Sequence, residues 1–245
     1  MEMMTQRNDG RPFDCLRPVA TQVDIAPAAA GSVLISMGNT QVICGCTIEE
    51  DIPRWMKSQK AAGGWITAEY SMLPYSTEDR ARREVASGKV SGRTQELQRL
   101  IGRSLRAVVD LNALGARTAW LDCDVLRADG GTRTASITGS MIALERAIRD
   151  LMSKGMLETN PITERCAAVR VGILDGVPRL DLCYEEDAAA EVDFNVVMTE
   201  SGKFVELQGT AEEHPFTPAQ LNQMLALAQK GISELIEIQK EAVLL

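Results

Sequence analysis

Two short stretches of this 245-residue chain set a glycine, an arginine and hydroxyl side chains at what read as helix starts: "SGRTQE" at 91–96 and "ADGGTRTAS" at 128–136. Glycine lets the backbone come close to a ligand. A helix start presents unpaired N–H groups at the positive end of its dipole, and arginine adds a planar, two-pronged cation. Arg93, Thr132 and Arg133 therefore suit phosphate, and two such devices say more than one, because a glycine before a single helix is often only a turn. A third stretch, "DLCYEEDAAAEVDFN", puts Asp187 at the end of the strand containing Asp181 and Asp193 at the start of the next, so a hairpin can bring both carboxylates to one end of a sheet. Such a pair suits a hard divalent cation completed by substrate phosphate oxygens. Acidic residues at strand ends are more commonly solvated or capping groups, and spacing alone does not decide between the two.

Charge and aromatic content sharpen the question of the ligand. The chain carries a formal net charge of −8, yet Arg80, Arg82, Arg83, Lys89, Arg93, Arg99, Arg103 and Arg106 face only Glu84 and Glu96 within their span, a local balance of +6 that leaves −14 elsewhere. A basic segment in an acidic body concentrates an anionic ligand at one place, although a solvated helix face would carry the same charges. Trp55, Trp65, Tyr70 and Tyr75, four of only ten aromatic residues, lie just upstream. Bases of single-stranded RNA stack on such rings, with core packing as the ordinary alternative. His214 is the sole histidine and the six cysteines form no CxxC, so histidine-based catalysis, a zinc clip and a disulfide framework find little support. The absence of a long apolar run, and of basic and apolar regions in "MEMMTQRNDGRPFD", predicts a soluble, cytoplasmic protein.

The elements that must position these residues are legible in outline. "QVDIA", "SVLISM" and "QVICGCTI" read as strands, the last two joined at Gly38-Asn39-Thr40. Residues 53–64 and 74–92 lack periodicity and read as loops. From Thr94 the apolar positions 97, 100, 101, 105, 108 and 111 recur at helical steps, with Arg99, Arg103 and Arg106 on the polar face. "TAWLDCDVL" alternates as a strand and feeds a second helix from about Thr134 to Met152. "AAVRVGIL" with "PRLDLCY", and "VDFNVVMT" with "KFVELQG", read as hairpins. Thr217, Pro218 and Gln220 open a long C-terminal helix. Strands followed by a helix, twice, predict an α+β architecture in a single domain over residues 1–245.

"RNDGRPFDCLRPV", "GWITAEYSMLP", "SGRTQELQRLIGRSLRAVVDL", "LDCDVLRADGGTRTASITG", "YEEDAAAEVDFNVVMT" and "GTAEEHPF" together resemble the ribonuclease PH family over nearly the whole chain. The phosphate stretches are specific to it, whereas "DGR" is shared with polynucleotide phosphorylase and exosome-core proteins. The resemblance implies a ribosomal protein S5 domain 2-like fold, a hexameric ring of dimers, and phosphorolytic trimming of tRNA 3′ ends with inorganic phosphate as co-substrate. It further implies phosphate binding by Arg93, Thr132 and Arg133, catalysis and Mg²⁺ binding by Asp187 and Asp193, and tRNA contacts from Arg80 and Arg83. This chain departs from the family pattern in having Tyr75 after "MLP", where arginine is frequent, so the grip on tRNA is expected to differ in detail. "SQKAAGG" is about two residues longer than usual, and Cys15 stands where glutamine is common. An inactive RNA-binding ring subunit and a water-using nuclease are the rival readings.

Overall fold

The computed structural model describes residues 7–212 and 214–244. Its first half contains β1 (Val19–Val23), β2 (Gly31–Met37), β3 (Thr40–Glu49), α1 (Arg54–Gln59), β4 (Trp65–Met72), a 3₁₀ turn (Glu84–Ser87), α2 (Gly92–Arg106), α3 (Leu111–Leu114), β5 (Thr118–Arg127) and α4 (Thr132–Ser153). The second half contains β6 (Cys166–Leu174), β7 (Val177–Leu180), α5 (Tyr184–Ala188), β8 (Val192–Thr199), β9 (Phe204–Ala211) and α6 (Pro218–Leu244).

Alternating side chains fix the first sheet, ordered β1-β2-β3-β5-β4. Val33, Ile35, Val42, Cys44, Leu121 and Cys123 share one face and are almost fully buried. The register Ile35↔Val42, Val33↔Cys44 and Cys44↔Cys123 aligns them, since a one-residue slip would turn each strand's apolar set outward. β4 runs parallel to β5, and a parallel neighbour requires a crossover, which α2 supplies while packing on β4. The second sheet is antiparallel throughout, in the order β7-β6-β8-β9.

α4 packs on β2 and β3 of one sheet and on β6 of the other. It is buried on most sides, as its sequence of small and aliphatic residues demands. Each large aliphatic side chain enclosed there contributes about 1.5–3 kcal/mol. α6 covers β6, β7 and β8, and its buried Gln239 donates to the Thr138 and Cys166 carbonyls at 3.0 and 2.9 Å, tying α6 to both α4 and β6. Its capping is reciprocal: the Thr217 N–H donates to Gln220 at 2.8 Å and the Gln220 N–H to the Thr217 hydroxyl at 3.3 Å.

The α+β expectation holds, with local corrections. The first strand is Val19–Val23, not 22–26, because Asp24 takes a positive φ of 58° and turns the chain away. Residues 54–59 form α1, too short for periodicity to register, and β4 is an additional strand. α2 ends at Arg106, so Val108 and Leu111 lie beyond it. β7 stops at Leu180, where Asp181 turns left-handed (φ 54°), and the following residues form α5. Asp187 is therefore on a short helix and not at a strand end.

Candidate active site

Both phosphate-type stretches enter their helices earlier than the sequence suggests. Ser91 caps α2, accepting from the Thr94 N–H at 3.1 Å, so Gly92 and Arg93 are its first residues. Thr132 and Arg133 open α4 after two left-handed glycines, Gly130 (φ 75°) and Gly131 (φ 69°). The arginines thus project from first helical turns, where backbone N–H groups are also unpaired. At Gly130 a Cβ would come within 2.7 Å of the Leu182 carbonyl oxygen, so glycine allows the 128–131 loop to rest on the chain that leads into α5. The Tyr184 N–H crosses back to the Asp129 carboxylate at 3.2 Å.

These pieces enclose an open cleft of 690 Å³ lined by Arg93, Arg133, Arg170, Asp187 through Glu191, Asp193 and Glu212. Arg133 donates to the Gln208 side chain at 2.5 Å. Burial lowers its pKa first, and the nearby cations of Arg170 and Arg93 add to the effect against Glu96 and Asp193. An anion bound here would relieve that repulsion. Thr132 is just behind, sharing a 2.8 Å hydrogen bond with the hydroxyl of buried Tyr70.

Asp187 and Asp193 come together through Arg170. Its Nε donates to Asp193 Oδ1 at 2.5 Å, while Nη2 reaches both Asp193 Oδ2 and Asp187 Oδ1, the latter at 2.6 Å. One nitrogen touches both carboxylates, so those oxygens are no farther apart than two charge-assisted bonds, roughly 5.5 Å. Burial raises the Asp187 carboxyl above its ordinary range, opposed by Arg170 and reinforced by Asp193. Two hard oxygen donors could hold a divalent cation if water and substrate supply its other ligands. No cluster of three or more potential metal-ligating residues occurs among the described residues.

An N-terminal arm braces the cleft from behind. Buried Arg17 grips both oxygens of fully buried Asp181 at 3.0 and 2.7 Å and donates to the Asp129 carbonyl at 2.5 Å. Arg7 forks onto Glu186, beside Asp187, at 2.7 and 2.6 Å, and Arg11 donates to the Asp181 carbonyl at 2.5 Å. One strap of three arginines thereby fastens the loop before Arg133 to the helix that carries Asp187.

Other sequence candidates fall outside the cleft lining. Arg80 and Arg83 are exposed on the loop between β4 and α2, Tyr75 is exposed on the same loop, and His214 is exposed before α6. Trp55 and Trp65 meet edge to face at 5.0 Å on another surface. Cys44, Cys46, Cys123 and Cys166 are buried as packing residues, and all six cysteines are free thiols. Sequence reasoning missed Arg170 and the arm. A lone arginine inside the apolar run "AAVRVGIL" was the available signal, since charged residues are rarely placed in such runs without a partner.

Residues 15–149 match the model described as "3′ exoribonuclease family, domain 1" and residues 165–231 that of "domain 2". The chain is 56% identical over 239 residues to Ribonuclease PH of Bacillus subtilis (strain 168), covering 97% of this chain and 96% of that protein. To Ribonuclease PH of Bacillus velezensis it is 55% identical, with the same coverage. In fold it is similar to rice (Oryza sativa) Rrp46, with a TM-score of 0.78 and 17% identity over 98% of this chain and 100% of that one. A chain of the Archaeoglobus fulgidus exosome with RNA bound to the active site also has a TM-score of 0.78, at 21% identity, covering 95% of this chain and 92% of that one. The two sheets, the paired arginine helices and the extent of identity lead to one conclusion: the chain belongs to the 3′ exoribonuclease family, in its ribonuclease PH branch.

Proposed function

We propose that the cleft carries out phosphorolysis at RNA 3′ ends, with Arg93, Thr132 and Arg133 binding the attacking inorganic phosphate and Asp187 and Asp193 serving the reacting phosphodiester. One observation carries the reading. Cationic groups at two helix starts and a close carboxylate pair face the same open cleft, although they come from distant parts of the chain.

A hydrogen phosphate oxygen attacks the phosphorus of the last phosphodiester in line. The bond from that phosphorus to the 3′ oxygen of the preceding nucleotide breaks, and the departing oxygen takes the proton that hydrogen phosphate brings. The products are a nucleoside diphosphate and an RNA one residue shorter. Arg93 and Arg133 hold the nucleophile by charge-assisted forks, and the first-turn N–H groups of α4 add fixed dipoles, so positioning and electrostatics do the work without a covalent intermediate. Tyr70 orients the Thr132 hydroxyl by its 2.8 Å hydrogen bond. The two hard carboxylate donors fit Mg²⁺, which when bound would set positive charge against the transferring group and the departing oxygen.

The natural substrates in this reading are tRNA precursors, with Arg80 and Arg83 gripping the RNA backbone outside the cleft. The Archaeoglobus fulgidus neighbour, which has RNA at its active site, supports RNA as the ligand class. Residues 1–245 act as one domain, because the cleft draws on both halves. The assembly is a hexameric ring built from three dimers. Leu34, Ile43 and Trp120 on the outer face of the first sheet are only half-buried, which leaves apolar surface for another subunit. No helix among the described residues is long and apolar enough to cross a membrane, in keeping with a cytoplasmic setting. An inactive ring subunit is not favoured, since both the arginine and the aspartate sets are intact.

The decisive experiment incubates RNA and Mg²⁺ with and without phosphate and identifies the released nucleotide. Nucleoside diphosphate should appear only with phosphate. Arg133→Ala should raise the phosphate concentration for half-maximal rate, whereas Asp193→Asn should collapse the maximal rate even at saturating phosphate. Nucleoside monophosphate released at an undiminished rate without phosphate would put hydrolysis first.

A further inference from the structure

Arg170 has no part in the mechanism above, yet it occupies the centre of the site. It stands on β6 opposite Asn195, one diagonal step from the Gly172↔Asp193 pair, so its side chain reaches Asp193 along the same face of the sheet. Its fork takes both oxygens of Asp193 and one of Asp187. Three of the four oxygens in the carboxylate pair thus already have a cationic donor. The Arg170 side chain is 15% exposed and those of Asp187 and Asp193 23% and 22%, so water screens the cluster only partly.

A carboxylate oxygen held by an N–H fork has one of its two lone pairs engaged, and a divalent ion approaching the same oxygens meets a positive charge already in place. We propose that Arg170 is a tethered counter-ion. It holds Asp187 and Asp193 together when no divalent ion is bound, and it must be displaced for the ion to enter. The inference rests on the reading of the two aspartates as the ion's ligands. Arg170 offsets the mutual repulsion of the two carboxylates. It also sets a threshold, because an ion shared by both aspartates meets the guanidinium's charge and has to displace it. The displaced guanidinium remains in the cleft that contains Arg93 and Arg133.

The test measures Mn²⁺ binding directly, by the electron paramagnetic resonance signal of the free ion, in the intact wild-type protein and in Arg170→Met, Arg170→Lys and Arg170→Met/Asp193→Asn variants. Methionine keeps much of the stem's packing and removes the fork, and lysine keeps the charge without the fork. Thermal melting in Mg²⁺ checks that each variant folds. Arg170→Met should bind Mn²⁺ about tenfold more tightly or better, as expected when a hydrogen-bonded charge partner no longer competes, and Arg170→Lys should fall between. Without divalent ions Arg170→Met should melt below wild type, and Mg²⁺ should raise its melting point more than wild type's. Equal or weaker Mn²⁺ binding by Arg170→Met overturns the inference while leaving the metal reading standing. Tighter binding that survives the added Asp193→Asn change places the ion elsewhere and overturns it as well. Failure of every protein to bind Mn²⁺ removes the metal reading and this inference with it.

Discussion

Arg17→Met should weaken the fold and the proposed phosphate site together, although Arg17 lies behind the cleft. The wild-type guanidinium holds both oxygens of Asp181, which is fully buried, and donates to the carbonyls of Asp129 and Gly130 at 2.5 and 3.4 Å. Breaking a buried pair by removing one partner costs about 3–5 kcal/mol. Here the low end applies. Asp181 keeps the Arg17 backbone N–H at 2.8 Å and has Arg11 at 3.7 Å, so its charge is not wholly abandoned. At roughly 2–4 °C per kcal/mol for a chain of this length, a loss of about 3 kcal/mol lowers the melting temperature by about 6–12 °C. Circular dichroism melting in phosphate-free buffer reads that drop, and steady-state assays should find several-fold more phosphate needed for half-maximal rate, because the loop before Arg133 has lost its fastening. Adding Asp181→Asn should return part of the stability by removing the uncompensated charge. A melting point within about 2 °C of wild type would refute the claim that this pair holds the site.

Three further outcomes test other parts of the structure. Burial works to raise Glu186, but the hydrogen bond and charge of Arg7 hold it below the ordinary 4.5; the stability it contributes is present at neutral pH and drains away as pH falls below about 4.5 through the depressed value, so Glu186→Gln should flatten the acid limb of a stability-against-pH curve, and parallel curves would contradict this. Gly130→Ala should cost about 2 kcal/mol from its left-handed φ of 75° and its approach to the Leu182 carbonyl, measured by urea unfolding, and should also raise the phosphate requirement; an unchanged unfolding midpoint counts against the close packing of loop and α5. Arg80→Ala/Arg83→Ala should weaken tRNA binding and lower the salt slope by about one unit per arginine while phosphorolysis of a short oligonucleotide continues, and an unaltered slope takes this loop off the RNA path.

What the sequence reveals and what it hides divide along physical lines. Val33 to Met37 and Ala119 to Val125 alternate because one face of each strand is buried, so period-two reading finds them. Thr217 and Gln220 mark a helix start because capping is local chemistry. The helix starts at Gly92 and Thr132, which carry the proposed phosphate site, are legible for the same reason, since glycine, hydroxyl and arginine stand within a few residues of one another. β4 does carry a period-two signal, with Ile66, Ala68 and Tyr70 alternating inward, and only its parallel pairing with β5, settled some fifty residues later, lies beyond local reading. α5 is hidden behind a β7 that reads as longer than it is, because the turn at Asp181 depends on the distant Arg17. Arg170 is visible as an oddity in an apolar strand, but its partners emerge only when β6 and β8 are laid side by side.

The strap of arginines also orders events in time. Arg7 and Arg17 find their acidic partners 179 and 164 positions later in the chain, and loops that long close slowly and late. During synthesis the first sheet, α2 and the phosphate loop can all emerge before either aspartate of the cleft exists. A polypeptide released early from a damaged message, anywhere short of residue 181, would carry neither carboxylate and none of the acidic anchors of the strap. On the proposed roles of Asp187 and Asp193, such a fragment would keep Arg80 and Arg83 to meet RNA but would lack the carboxylates needed to cut it. The cleft is completed only by chain made after residue 180, whatever has folded before it.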